Sequence, residues 1–142
     1  MWGFLIAIVS GILMSVQGVW NTQVTKQSSL WVSSSFVQFT ALLLCLLAWF
    51  FSDRSSFAAL GKVHPRYFLL GGVLGAFITI TVIQSVGKLG PAKSAMLIVI
   101  VQLIFSYLIE VLGMFGVEKQ PLEWRRVLGM AVSIAGIIIF KL

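Results

Sequence analysis

Amide, hydroxyl and carboxyl side chains recur at helical spacing inside strongly apolar stretches of this 142-residue chain. Gln102, Ser106 and Glu110 follow one another at intervals of four, which places them along one face of a helix. Polar groups are costly inside a membrane, so this stripe predicts contact with protein or with a wet cavity rather than with lipid. The chemistry that it supports is hydrogen bonding to a polar solute, beside one ionisable carboxylate.

Three other apolar stretches also carry polar residues three, four or seven positions apart, so that they share one face of a helix. The first stretch has Ser10, Gln17 and Asn21, the second has Ser34 and Gln38, and the third has Thr81 and Gln84. Two interpretations stay open. The side chains either form hydrogen bonds between helices, worth ~0.6–2 kcal/mol per contact, or they line a polar cavity near the middle of the membrane. The predicted substrate-binding residues of that cavity are Gln17, Asn21, Gln38, Gln84, Gln102 and Ser106.

Glu110 is the acidic residue that falls within an apolar stretch. It lies about six residues from the middle of its stretch, hence ~9 Å from the membrane midplane at ~1.5 Å per residue. An ionisable group at that depth is a functional candidate, here for ion coupling or gating. The alternative is a structural ion pair with Arg125 or Arg126, and both interpretations stay open.

Signatures of other kinds of site are missing from the sequence. The chain has one histidine and one cysteine, Cys45, so neither a metal-ligand cluster nor an intrachain disulfide is expected. It has no phosphate-binding loop and no nucleophile with a base at plausible spacing. We therefore expect neither an enzyme nor a cofactor, and the scattered cations argue against a nucleic-acid partner.

The polar stripes lie in five apolar blocks of about twenty residues, at 2–22, 31–51, 67–87, 94–115 and 124–140. Such blocks are long enough to cross a hydrocarbon core ~30 Å thick as helices. The composition agrees, with 59% hydrophobic and 10% charged residues and a mean hydropathy of +1.05. The chain is predicted to be an all-α integral membrane protein, a bundle of five transmembrane helices in one domain over residues 1–142. The first block has no positive leader before it, so we expect a retained helix.

The ten Lys and Arg residues lie at helix ends and in loops, where they can anchor helices to lipid headgroups. Five spans would place six of them on the side of the N-terminus, namely Arg54, Lys62, Arg66, Lys119, Arg125 and Arg126. The other side would hold Lys26, Lys88, Lys93 and Lys141. A bias this small fits a fixed orientation as well as insertion in both orientations, so it does not decide the absolute orientation.

Small residues at intervals of three or four predict close helix contacts. Gly129, Ser133 and Gly136 form such a stripe in the last and least polar block. We therefore expect this block to contact a second subunit.

The second half of the chain resembles the drug/metabolite transporter superfamily, and most closely its short YdcZ-like members. The matching residues are Gly90–Pro91, Gln102–Leu103, Ser106, Glu110, Gly113, Phe115–Gly116, Pro121–Leu122, Arg126, Leu128–Gly129 and Ala135–Gly136. The first half is similar more loosely, through Gln17, Gly18 and Asn21. The chain departs from the family pattern at two adjacent positions. It has Glu110 where family members usually have Asp, and Val111 where they usually have His.

The resemblance implies five-helix chains that pair in opposite orientations, as homodimers or with a sister chain, and so build an inverted repeat with a site at its interface. The related four-helix multidrug exporters use a glutamate in their first helix, where this chain has Gln17, so their coupling mechanism does not transfer. The expected function is a bacterial inner-membrane transporter that moves a small metabolite or amphipathic compound by alternating access as an antiparallel dimer. The alternatives are a passive dual-topology channel and a non-transporting subunit of a larger membrane complex.

Overall fold

The computed structural model describes the backbone of residues 1–141 and the side chains of residues 1–140. Five α-helices follow one another: α1 (Trp2–Gln27), α2 (Leu30–Ser52), α3 (Gly71–Leu89), α4 (Pro91–Leu112) and α5 (Trp124–Lys141). Short 3₁₀ turns cover Phe57–Lys62, Arg66–Leu70 and Met114–Gly116, and residues 1–141 contain no strand. The all-α prediction is confirmed. The side chain of Lys141, which entered the charge comparison, lies outside the described residues.

Four helical segments are long and apolar enough to cross a membrane, and these are α1, α2, α4 and the segment Arg66–Leu89 that includes α3. Helix α5 has 18 residues, with Arg125 and Arg126 in its first turn, and it is not among these four segments. Four membrane-capable helices are therefore shown, and the fifth span stays a prediction.

Some helix ends differ from the ends of the predicted apolar blocks. At these places capping residues and backbone angles, rather than hydropathy, determine where the helix stops or starts. Helix α1 continues to Gln27 because residues 23–27 contain neither Gly nor Pro, although all of them except Val24 are polar. Ser29 then begins α2, with its Oγ accepting from Val32 N at 3.2 Å. The predicted connector 23–30 thus shrinks to Ser28 and Ser29.

Helix α4 ends at Leu112, three residues earlier than predicted, because Gly113 after it adopts the left-handed conformation with φ 66°. A Cβ at this position would lie 3.0 Å from Lys119 Cβ, so a glycine suits both the backbone angle and the space. At its other end α4 begins at Pro91, three residues before the predicted block, with Gly90 in front of it and the proline at the first helical position.

The chain divides into two compact units, residues 1–88 and residues 89–142. Over the two units together, the buried side chains are mostly small and polar, while the large apolar ones are mostly exposed. Among the described residues the buried hydrophobic side chains are Ile83 and Tyr107, and the buried polar ones are Asn21, Thr22, Ser33, Ser34 and Ser94. This inversion of the soluble pattern is typical of membrane helices, which pack through small and hydroxyl residues and present apolar surface to lipid.

Candidate functional site

In the first unit, α1 and α2 are joined through hydroxyl and backbone groups near their connection. The Oγ of Ser33 donates to the backbone oxygen of Asn21 at 3.1 Å, and both residues are buried. Asn21, one of the predicted cavity residues, therefore lies in the contact between two helices.

Helix α3 joins α2 by a hydrogen bond between side chains. Gln38 Nε2 donates to Thr79 Oγ1 at 3.1 Å, and Thr79 Oγ1 donates in turn to Gly75 O at 3.0 Å. Gln38 is half-buried there. For Gln38 the geometry therefore favours the interpretation in which the polar side chains form hydrogen bonds between helices, rather than lining a cavity.

Helix α3 also approaches α1 closely. Thr22 Oγ1 donates to Gly18 O at 2.7 Å and lies 3.5 Å from Ile83 O on α3. A Cβ added to Gly18 would lie 3.5 Å from Val82 Cγ1, which is ordinary van der Waals contact, so Gly18 marks the place where the two helices meet.

Two buried hydroxyls in the first unit have no hydrogen-bond partner among the described residues, Thr25 Oγ1 and Ser34 Oγ. Leaving a buried hydroxyl unpaired costs ~1–3 kcal/mol. Ser34 belongs to the polar stripe predicted for α2. The hydrogen-bonding capacity of these two groups is therefore not used within the described part of the chain.

The other predicted cavity residues lie on exposed helix surfaces. In the first unit these are Gln17 on α1 and Gln84 on α3, and in the second Gln102 and Ser106 on α4. The side chains of these residues are open to whatever surrounds the single chain. In a membrane, that surrounding is lipid, water or another protein surface.

In the second unit, Glu110 forms an ion pair between α4 and α5. Its Oε2 accepts from Arg126 Nη1 at 2.8 Å, so Arg126 is the partner rather than Arg125. The side chains remain 41% and 46% exposed, respectively, so solutes can reach the pair. Arg126 Nε also donates to Glu123 Oε2 at 3.1 Å.

Tyr107 fixes the beginning of α5 against α4. Its hydroxyl accepts from Glu123 N at 2.9 Å and lies 3.3 Å from Glu123 O, to which it donates. Tyr107 is 8% exposed. Since Glu110 and Arg126 each lie three residues beyond these bonded residues, the tyrosine positions the ion pair one helical turn away.

The ion pair borders an open pocket of about 340 Å³. The residues that line it are Glu110, Val117, Glu118, Gln120 and Arg126. The loop that forms its wall is held by a backbone bond from Gln120 N to Glu110 O at 2.9 Å. The pocket thus combines two carboxylates, a guanidinium and an amide.

The predicted subunit contact on α5 is a free surface within the second unit. Gly129, Ser133 and Gly136 are exposed, and a Cβ at either glycine would have no described atom within 4 Å. Ser133 Oγ donates to Gly129 O at 2.9 Å, within its own helix. The face is available to a second chain, and the contact itself stays a prediction.

Sequence reasoning did not single out Tyr107 or Ser33 as site residues. A tyrosine hydroxyl inside an apolar block was the available signal for Tyr107, since buried tyrosines usually find a hydrogen-bond partner. Ser33 gave none, because serines in α2 also occur at 34 and 35.

No curated protein and no solved structure matches the chain. One family model does match, over residues 2–139, and its description is "Putative inner membrane exporter, YdcZ". The match covers all five helices except the end of α5, and it agrees with the four membrane-capable segments. The protein is therefore a multi-pass inner-membrane protein, and it belongs to the YdcZ family of the drug/metabolite transporters.

Proposed function

We propose that the chain is an exporter that moves a small metabolite or amphipathic compound across the inner membrane. In this proposal two chains in opposite orientations form the working unit, and alternating access takes place around a polar site at their interface. Membership of an exporter family supports transport in general.

The observation that carries the proposal is the exposure of three glutamines, Gln17, Gln84 and Gln102, on helices able to cross a membrane. An amide that faces lipid loses its hydrogen bonds to water, at a cost of several kcal/mol. A second protein surface or a water-filled pathway removes that cost. An antiparallel pair provides both, because it encloses a cavity between its copies.

In the proposed exporter, Glu110 acts in gating or ion coupling. Its carboxylate is the last group of the polar stripe of α4. Residues four apart in a helix with 3.6 residues per turn differ by about 40° around the helix axis, so the members of the stripe stay close to one face. The stripe thus leads from Gln102 past Ser106 to the ion pair with Arg126. Opening of this pair would change the surface at one end of the pathway.

The test compares the compounds that cells release when they produce the wild-type chain, Gln102→Leu or Glu110→Gln. We expect at least one compound to accumulate in the medium with the wild type and to lose most of that excess in both variants. Val101→Leu, at an exposed apolar neighbour, is the matched control and should export normally. Mass spectrometry of the medium gives the readout, and the amount of monodisperse purified protein shows whether each variant folds.

A medium unchanged by the wild-type chain would contradict export, as would equal export by all variants. Flux of the identified compound into liposomes then separates carrier from channel. Saturable flux that responds to a coupling-ion gradient supports alternating access. Gradient-independent flux at rates far above carrier turnover would instead indicate the dual-topology channel.

A further inference from the structure

The ion pair on α4 and α5 has a composition that bears on which solutes the proposed exporter accepts. Arg126 is a single guanidinium held between two carboxylates, with Nη1 on Glu110 at 2.8 Å and Nε on Glu123 at 3.1 Å. Each carboxylate therefore already has a cationic partner supplied by the chain itself.

The arginine is held in this place by more than its own bonds. Tyr107 binds both backbone groups of Glu123, and Glu123 O also accepts from Arg126 N at 3.0 Å as the first turn of α5 begins. The guanidinium is thus presented to Glu110 from a fixed helix end. A fixed partner loses little entropy on pairing and competes well with a solute that must first be immobilised.

The space beside the pair is large enough for a small organic ion. The pocket of about 340 Å³ is open, and its lining includes the carboxylates of Glu110 and Glu118 next to Arg126. If Arg126 carried no charge, the pocket would present two carboxylates and no cation. Such a pocket would attract a positively charged solute.

We infer that Arg126 acts as an internal cation that pairs with the carboxylate of Glu110 and thereby excludes positively charged organic solutes from the pocket beside the ion pair. The inference rests on the proposed function and narrows its cargo to compounds without a positive charge, and the uncharged polar ones among them can bind by hydrogen bonds to the exposed amide of Gln102 on α4. Arg126 is then a specificity-determining residue.

The test measures equilibrium binding of tetraethylammonium to the purified full chain by titration calorimetry. We expect weak binding to the wild type and at least about tenfold tighter binding to Arg126→Gln, a difference of ~1.4 kcal/mol. Arg125→Gln removes the same charge one residue away without touching Glu110, and it should behave as the wild type. The double variant Glu110→Gln with Arg126→Gln should lose the gain.

Equal tightening in Arg125→Gln and Arg126→Gln would overturn the inference, since net charge alone would explain it. Tight binding to the wild type that Glu110→Gln abolishes would overturn it as well, and this comparison does not depend on the folding of Arg126→Gln. Binding is read without transport, so failure here leaves export intact. Conversely, cation exclusion without any exported compound would contradict the proposed function alone.

Discussion

Gln38 and Thr79 show how a polar side chain can be accommodated between apolar helices. The amide donates to a hydroxyl on the neighbouring helix, and that hydroxyl donates onward to the backbone of its own helix. Each donor in this short chain has an acceptor, so the cost of placing an amide within a span is offset inside the protein. Gln38 therefore differs from Gln17, Gln84 and Gln102, whose surfaces are exposed.

A double-mutant cycle of Gln38→Leu and Thr79→Val should give a coupling free energy of ~0.6 kcal/mol, and at most ~1.7 kcal/mol. The reason is that each single variant removes the same bond. Unfolding of the purified chain in mixed detergent micelles measures the free energies. Thr81→Val is the control, because Thr81 Oγ1 bonds only to Phe77 O and Ile78 O in its own helix. If Gln38→Leu couples equally to Thr81→Val, the assigned bond is absent.

At the scale of elements, Gly18 of α1 lies at a close approach to α3. The ideal Cβ of Gly18 has Val82 and Val86 at 3.5 and 3.7 Å. There is room for one methyl group and not for a branched side chain. Gly11 lies two turns earlier on α1, and its own ideal Cβ would have no atom of another helix within 4 Å.

Gly18→Leu should therefore push the two helices apart and reduce the free energy of unfolding by ~1–3 kcal/mol. Gly18→Ala should be close to neutral, and Gly11→Leu serves as the matched control for added apolar volume. The measurement is the same micelle unfolding experiment. Equal losses for leucine at 11 and at 18 would mean that the close approach does not exist in the membrane protein.

The joint between α4 and α5 gives a second prediction at this scale. Tyr107→Phe removes the acceptor for Glu123 N and leaves the beginning of α5 less restrained. We expect faster amide hydrogen exchange at Glu123 and over the first turn of α5, which mass spectrometry of peptic fragments can follow. Ser133→Ala, which alters a bond within α5, should leave that turn unchanged. Unchanged exchange in Tyr107→Phe would show that the tyrosine hydroxyl does not restrain the beginning of α5.

Hydropathy predicted the helices well because period and length are properties of each segment alone. It placed their ends poorly, since the end of α4 is decided by the left-handed Gly113 and the end of α1 by Ser28 and Ser29. For the candidate site, the stripe rule grouped Gln102, Ser106 and Glu110 correctly on one helix. It could not choose between Arg125 and Arg126, because that choice depends on how α5 is rotated against α4.

At the scale of the whole molecule, the inverted burial pattern indicates that contact with lipid, together with the second subunit that we propose, stabilises the folded chain more than an internal hydrophobic core does. Since polar side chains are exposed on membrane-capable helices, an assembly of chains is expected. The cation distribution leaves both orientations open to each chain.

Sidedness can be measured with single cysteines in a Cys45→Ser background. Gln27→Cys lies at the end of α1 and Ala59→Cys in the segment after α2, both at exposed positions. Ser29 is avoided because its hydroxyl begins α2. For an antiparallel homodimer we expect partial labelling of both sites by an impermeant thiol reagent on intact cells. Complete labelling of one site and none of the other would mean a fixed orientation, and then either an oppositely oriented sister chain or a parallel assembly that contradicts the inverted repeat.

Helix α1 is longer than the hydrocarbon core of the membrane is thick. Its 26 residues rise ~39 Å, about 9 Å more than a hydrocarbon core of ~30 Å. The surplus equals about six residues, which is the polar stretch from Thr22 to Gln27. An upright α1 would carry this turn and a half into the headgroup layer, together with the start of α2. Bilayer thickness then sets how far the tip of the α1–α2 hairpin emerges, so thicker membranes should draw it inward and thinner ones should leave it standing in water.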